Sequence, residues 1–296
     1  EPPPPQEPWP GFTANRVGLA QSVVMPDRWE RVGDGDTASL RDAFTAGYGV
    51  RVPGGSRYQG VSLRGAGFVA ADGEGAILAG SGSTIVNFEG PGQTGGLHNV
   101  LLYGANSGNT NERGIDVRGS DILAWCDRVA TMNTYDQHMN MWDPGRKRIV
   151  YTRSAFLADA DGYELGPLMG SNNNTRPAVD QLALFYRCHF EVNIRAPRVG
   201  AVGAVAHLVN CVHARWVHSG VDASLGGVAI LQGDIASARH VGSGGRGRGA
   251  AYVQHAPGGI YAEDSMLLDG AIIQQSTAVP RPQLPYDDIP YEYRQG

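Results

Sequence analysis

The sequence lacks any long apolar run. None of its uninterrupted apolar stretches approaches the roughly 20 residues that a membrane-spanning helix requires. The hydrophobic residues make up 42% of the 296 positions, but they are spread along the chain in short groups, as in a protein with a folded core. We therefore predict no membrane span.

Excess basic charge is also missing. The chain has 24 Lys and Arg residues against 29 Asp and Glu residues, and Lys147 is its only lysine. A net charge of −5 offers no general field for nucleic acid, so we predict no nucleic-acid partner. A polyanionic partner would have to be met by arginines clustered at one place, or through a recruited cation.

Cysteine is scarce as well. Cys126, Cys188 and Cys211 are too few for a disulfide framework, lack the spacing of metal ligands, and leave at least one free thiol.

Short strands recur along most of the chain, whereas helical periodicity is nearly absent. One helix is predicted over Thr37–Phe44, with Asp36 or Thr37 as its N-cap. Elsewhere, four to six apolar or β-branched residues are followed by Gly, Asn or Asp. Leu182, Val205 and Val228 recur at intervals of 23 residues, which is typical of the coils of a parallel β-helix. Some of the spacing between strands also permits a β-sandwich, in which a turn follows about every 8–12 residues.

The ends of the chain differ from the rest in composition. Residues 1–10, EPPPPQEPWP, are predicted to be a Pro-rich leader, because consecutive prolines favour polyproline II and cannot pair in a sheet. Residues 11–296 are predicted to form one domain with a C-terminal tail over 280–296.

Several motifs occur in a characteristic order. They are Gly60-Val-Ser-Leu-Arg-Gly-Ala-Gly67, Phe185-Tyr-Arg-Cys-His-Phe190, Arg195-Ala-Pro-Arg198, His207-Leu-Val-Asn-Cys-Val212 and Leu284-Pro-Tyr. In order and spacing, the chain resembles the pectate lyase family of polysaccharide lyases, which includes the pectin lyases. The resemblance implies an all-β fold, a single-stranded right-handed parallel β-helix.

The resemblance also implies a chemistry. The family cleaves acidic polysaccharides by β-elimination, in which a base removes the proton next to a uronate carboxylate and the 4-linked oxygen leaves. The resulting enolate needs stabilisation, and calcium can supply it. Arg195 matches the family's catalytic arginine and Arg198 the second arginine of its motif. The implied partner is an acidic polysaccharide, and the implied location is extracellular.

The implied cation site departs from the family pattern. Arg113 stands where the family commonly has a calcium-binding aspartate, and Asp136 and Asn140 match a later carboxylate pair. Fewer carboxylates weaken calcium binding, so calcium is expected as a possible cofactor at a weakened site. The pectin lyases, which are independent of calcium, also carry an arginine in place of a carboxylate ligand. By this resemblance Arg113 implies a shift toward neutral, methylated substrate, direct binding of carboxylate by arginine, or an inactive site.

Two further residues are candidates for substrate contact near the implied site. His138 could serve as an acid–base or binding group, and Trp142 could stack on a sugar ring. For each of them, ordinary packing is the competing interpretation.

Three functional hypotheses remain open. The first is an active extracellular polyuronate lyase. The second is a catalytically silent β-helix that binds glycans or is a structural component of a phage particle or cell surface. The third is a β-helical hydrolase, which needs a carboxylate pair at glycosidase separation, and no such pair stands out.

Overall fold

The computed structural model describes most of the chain. The described residues are 16–158, 165–170, 180–192, 194–216, 220–238 and 249–291. The predicted leader over 1–10 lies outside them, so its boundary stays a prediction. The described chain winds through three sheets in turn, and each completed turn forms one coil.

Sheet 1 is the longest of the three sheets. Its strands are β1 (Trp29–Arg31), β2 (Gly49–Val52), β5 (Phe68–Ala71), β8 (Thr94–His98), β11 (Ile122–Asp127), β14 (Lys147–Thr152), β17 (Gln181–Tyr186), β20 (Ala204–Val209), β23 (Val228–Gln232), β26 (Gly259–Glu263) and β29 (Ser276–Thr277).

Sheet 2 follows sheet 1 in every coil. Its strands are β3 (Arg57–Tyr58), β6 (Ala76–Ala79), β9 (Val100–Tyr103), β12 (Ala130–Met132), β15 (Ala155–Leu157), β18 (His189–Glu191), β21 (Val212–Arg215), β24 (Ile235–Ser237) and β27 (Met266–Leu268).

Sheet 3 closes each coil. Its strands are β4 (Leu63–Gly65), β7 (Val86–Phe88), β10 (Arg113–Val117), β13 (Gln137–Met141), β16 (Leu168–Met169), β19 (Arg198–Val199), β22 (Val221–Ala223), β25 (Gly249–Tyr252) and β28 (Ile272–Ile273). The neighbouring strands of all three sheets are parallel except β26 and β29, and the architecture is the predicted right-handed parallel β-helix.

The predicted repeat matches the strand register. Leu182 on β17 pairs with Val205 on β20, and Val205 pairs with Val228 on β23. Parallel pairing at this interval confirms the β-helix and excludes the sandwich. Helix α1 (Thr37–Thr45) is also confirmed: the Asp36 side chain accepts a hydrogen bond from the Ser39 backbone N–H at 3.1 Å, as an N-cap does.

The outer face of sheet 1 is covered by the two ends of the described chain. A 3₁₀ helix (Gly18–Ser22) and residues 280–291 of the predicted tail lie there. Leu19 and Ile289 are buried in one cluster with Trp125 and Leu184. The tail is also tied down by a hydrogen-bond contact of 2.8 Å between the Tyr286 hydroxyl and His207 Nδ1. Sheet 1 is therefore not a free surface in this region.

Aromatic rings stack inside the coil. Phe156 lies over Phe190 with ring centroids 5.0 Å apart, and Phe190 lies over His213 at the same separation. Tyr151 stacks on Phe185 at 5.5 Å. Each stacked pair occupies matching positions on adjacent strands, because in-register parallel pairing places equivalent side chains directly above one another. The stack fills the core between sheets 1 and 2.

We predict that Phe156→Ala lowers the free energy of unfolding by about 3–5 kcal/mol, because Phe156 is fully buried and four aromatic rings would lose their partner. Urea unfolding followed by circular dichroism measures the change. Phe156→Leu keeps most of the volume and should cost clearly less. Equal losses in the two variants would contradict a specific role for the ring stack.

Candidate functional site

The outer face of sheet 3 carries a row of side chains that are polar except for Leu168. In order along the sheet, the strand register aligns Arg64, Asn87, Asp116, Asn140, Leu168, Arg198, Asp222 and Tyr252. The neighbouring row, which includes Phe88, Val117 and Met141, belongs to the hydrophobic core. Since side chains alternate between the two faces of a strand, the polar row points outward. We call this row and the loops beside it the groove.

Asp116 lies at the centre of the groove's charged cluster. Its buried carboxylate accepts hydrogen bonds from Arg113 Nη1 at 2.9 Å, Arg118 Nε at 2.8 Å and Asn140 Nδ2 at 2.9 Å. Two of these donors are guanidinium groups, so the bonds are charge-assisted and hold both arginines in fixed orientations. Asp116 therefore organises the cluster.

Arg113 joins two carboxylates. Besides its bond to Asp116, its Nε donates to Asp136 Oδ2 at 3.1 Å. Burial raises the pKa of the Asp136 carboxyl, while the positive charges of Arg113 and Arg195 oppose the rise. Asp136 is thus a desolvated acid that is kept in place by arginine.

The residues as placed do not fit a calcium ion. Calcium prefers six to eight oxygen ligands or about that number, several of them carboxylate oxygens. Here Asp116 and Asp136 both accept bonds from the guanidinium of Arg113, and Asn140 turns its amide nitrogen toward Asp116. Among the described residues, no group of three or more His, Cys, Asp or Glu side chains is arranged to hold a metal. Calcium use stays a prediction.

The two arginines of the R-A-P-R motif lie in different environments. Arg195 is half-buried in the loop before β19, has a φ of +68°, and is near enough to Asp136 to affect its charge. Arg198 is buried in the polar row, with Nε 3.5 Å from Asp222 Oδ2. Of these two arginines, only Arg195 is partly exposed and acts electrostatically on the charged cluster.

The two other residues predicted to contact substrate differ in their exposure to solvent. Trp142 directly follows β13 at the edge of the groove, and 37% of it is exposed, so a sugar ring could reach it. His138 is fully buried: its Nδ1 lies 2.9 Å from the Thr131 hydroxyl, and its ring meets Phe156 edge-on. In this structure His138 belongs to the core and does not reach the groove. Burial lowers its pKa to about 3.

Sequence reasoning missed Asp116, Arg118 and Lys147. The signal for Asp116 was present: in the strand Gly-Ile-Asp-Val the acid stands between two apolar residues and 24 residues before Asn140, close to one coil. Lys147 gave no comparable signal. Its side chain is buried, its Nζ has no hydrogen-bond partner among the described residues, and burial lowers its pKa against the opposing charges of Asp143 and Asp116.

Comparison with known proteins identifies similar folds among solved structures. No protein-family model and no curated protein matches the sequence. Among solved structures, the chain is similar to jun a 1, the major allergen from cedar pollen, with a TM-score of 0.65 and 12% identity over 94% of this chain and 89% of the other.

Two bacterial enzymes are also similar. For the pectate lyase pelN from Paenibacillus sp. 0602 the TM-score is 0.56, with 10% identity over 96% of this chain and 90% of the other. For the alginate lyase from Paenibacillus sp. strain FPU-7 it is 0.52, with 10% identity over 83% and 99%. At these identities the likeness shows the fold, a pectate-lyase-like parallel β-helix. In the part of the chain that the structure describes, no helix has the length and apolarity to cross a membrane.

We predict that His138 makes the protein sensitive to acid. Its pKa is about 3 in the folded state against 6.5 in the unfolded chain, so the unfolded state takes up the proton first as the pH falls. Stability from this residue is complete above pH 6.5 and is lost toward pH 3. Between pH 6.5 and about pH 5 the loss amounts to about 2 kcal/mol.

The check is urea unfolding of the wild type and of His138→Gln at several pH values. The glutamine cannot titrate and keeps a donor for Thr131, so the acid-side slope should be shallower in the variant. Identical slopes would show that His138 is not the source.

We predict that Lys147→Met raises the free energy of unfolding at neutral pH by about 1–2 kcal/mol, because it removes a buried ammonium group that no hydrogen bond compensates. The folded-state pKa of Lys147 is lowered, so wild-type stability rises as the pH approaches 10.5, and the advantage of the variant should shrink there. Denaturant unfolding at neutral and alkaline pH measures both effects. A destabilised variant would instead show that the ammonium supports Asp116 or Asp143.

Proposed function

We propose that this protein binds an acidic polysaccharide along the outer face of sheet 3 and cleaves it by β-elimination outside the cell. The observation that carries the proposal is the arginine cluster around Asp116 and Asp136, formed by Arg113, Arg118 and Arg195. The pectate-lyase-like fold supports it, because two of the similar structures are named as a pectate lyase and an alginate lyase.

The charge of the cluster favours an anionic ligand. Three arginines stand beside two carboxylates, so these five groups carry one excess positive charge within a chain of net charge −5. Glu89 and Asp143 also act electrostatically on Arg118. Each guanidinium has five N–H donors, and the carboxylate contacts of Arg113 use its Nε and Nη1 and that of Arg118 its Nε. The side chain of Arg118 is 42% exposed. Donors therefore remain for a uronate carboxylate.

Elimination needs that carboxylate to be neutralised and a base to be close to the adjacent C–H bond. In our proposal, Arg113 and Arg118 bind the carboxylate and stabilise the enolate, in place of a metal ion. The base takes the proton from C5, the electron pair forms the C4–C5 double bond, and the C4–O bond breaks. The departing oxygen then receives a proton from solvent water.

Arg195 is the proposed base, and Asp136 assists it. A free guanidinium stays protonated near neutral pH, so Arg195 must pass a proton to a neighbour before it can accept one. Asp136 is suited to this because burial raises the pKa of its carboxyl, and the charge of Arg195 acts on that carboxyl. Arg198 then supports the loop from its buried position opposite Asp222.

A second candidate is a catalytically silent β-helix that binds acidic glycans, as part of a cell surface or a phage particle. It is favoured by the burial of Arg198 against Asp222, which removes one of the two motif arginines from solvent. Binding without cleavage separates this candidate from the lyase.

We predict that the protein releases unsaturated uronate ends from polygalacturonate, methylated pectin or alginate, measured as a rise in ultraviolet absorbance. Arg195→Asn should reduce the rate by at least about a hundredfold, as expected for loss of a general base. Asparagine tolerates positive φ better than most residues, so the variant should keep the loop conformation. A chelator should leave the rate unchanged, because arginine replaces the cation in this proposal.

Three controls make the result decisive. Arg195→Lys keeps the charge and tests whether the guanidinium itself is needed, and thermal unfolding shows that the variants are folded. Calcium added after chelation tests for a metal requirement: rescue by calcium would contradict the arginine-based scheme. Saturable binding without absorbance change on all three polymers would favour the silent candidate.

A further inference from the structure

A cavity lies at the end of the groove nearest the N-terminus. It has a volume of about 670 Å³ and is formed where helix α1 meets the first strands of sheet 3. Arg41 and Thr45 line it from α1, Arg64 from β4, and Glu89 and Gln93 from the turn after β7. None of these residues belongs to the charged cluster around Asp116.

Two guanidinium groups in this cavity are unused. Arg41 and Arg64 are exposed, and neither side chain has a hydrogen bond or an ion pair with any residue that the structure describes. The carboxylate of Glu89 acts electrostatically on Arg118, which belongs to the charged cluster around Asp116. The cavity therefore offers two free cations to one partly engaged anion, a balance that suits a carboxylate ligand.

Two glycines keep the cavity open at its base. Gly65 has a φ of +133°, and a Cβ atom there would lie 3.2 Å from the Phe44 carbonyl oxygen, against the end of α1. Gly90 has a φ of +120°, and a Cβ atom there would lie 2.7 Å from Gln93 Oε1. Both positions use a backbone conformation that disfavours side chains. The absence of side chains lets α1 approach the sheet without filling the space between them.

The cavity is continuous with the groove. Arg64 pairs with Asn87 on the next coil, and Asn87 pairs with Asp116 on the one after. Adjacent strands are about 4.8 Å apart, so Arg64 lies roughly 10 Å along the row from Asp116. A linear polymer that crosses the coils over the charged cluster would reach Arg64 next, and α1 would limit its path beyond.

We propose that this cavity is a carboxylate-binding subsite for a uronate residue of the same polysaccharide, with Arg64 and Arg41 as its cations. The inference rests on the proposed binding of an acidic polysaccharide along sheet 3. The lining contains no aromatic ring, so recognition depends on charge and hydrogen bonds rather than on stacking. The hydroxyl of Thr45 and the amide of Gln93 supply partners for sugar hydroxyls.

The test compares two doubly substituted proteins of equal charge. Arg41→Gln/Arg64→Gln removes both cations of the subsite, whereas Arg31→Gln/Arg128→Gln removes two exposed arginines away from sheet 3. Binding of oligogalacturonates and of alginate oligomers of increasing length is measured by calorimetry, with the unaltered protein as reference. Thermal unfolding should be unchanged in both variants, because the substituted side chains are exposed.

We expect the subsite variant to bind long oligomers about tenfold more weakly than the control variant, and short oligomers equally well. Equal affinity of the two variants at every length would overturn the subsite while leaving the proposed function intact. If the unaltered protein binds neither oligogalacturonates nor alginate oligomers of any length, the proposed function fails and the subsite fails with it.

Discussion

In-register stacking of one coil on the next is the constraint on which the rest of this structure depends. Parallel strands about 4.8 Å apart place each side chain directly between its counterparts on the neighbouring coils. Side chains inside the coil therefore form continuous stacks, as do the rings of Phe156, Phe190 and His213. Polar side chains on the outer face form hydrogen bonds along the row, as Asn140 does with Asp116. Core and groove are thus two faces of one repeat.

This constraint also explains which features the sequence predicts. A repeat of 23 residues can be counted directly, and it specifies parallel pairing of Leu182, Val205 and Val228 without any knowledge of the loops. The helix over Thr37–Thr45 is equally local, because its N-cap bond spans three residues. The motif resemblance added the handedness. These features depend on short-range chemistry or on an interval.

The site was harder to predict because its coils differ in length and its strands begin irregularly. His138 and Asn140 are two residues apart, and simple alternation puts both on the outer face, yet only Asn140 points outward. Lys147 and Arg198 are likewise buried although each is charged, and a periodic pattern of apolar residues does not predict a buried charge.

Arg113 changes the character of the groove more than any other single residue. A bound cation needs free carboxylates, whereas a guanidinium occupies them: the bonds from Arg113 to Asp116 and Asp136 engage an oxygen of each acid and fix the arginine between them. The positive charge then belongs to the polypeptide and cannot dissociate, and its planar donors impose a geometry on any carboxylate that binds. Burial strengthens the arrangement, because an unpaired Asp116 in this position would be strongly unfavourable. In the proposed function, the same interactions that stabilise this face of the β-helix supply its affinity for anions, and recognition is tied to folding rather than to the supply of a metal.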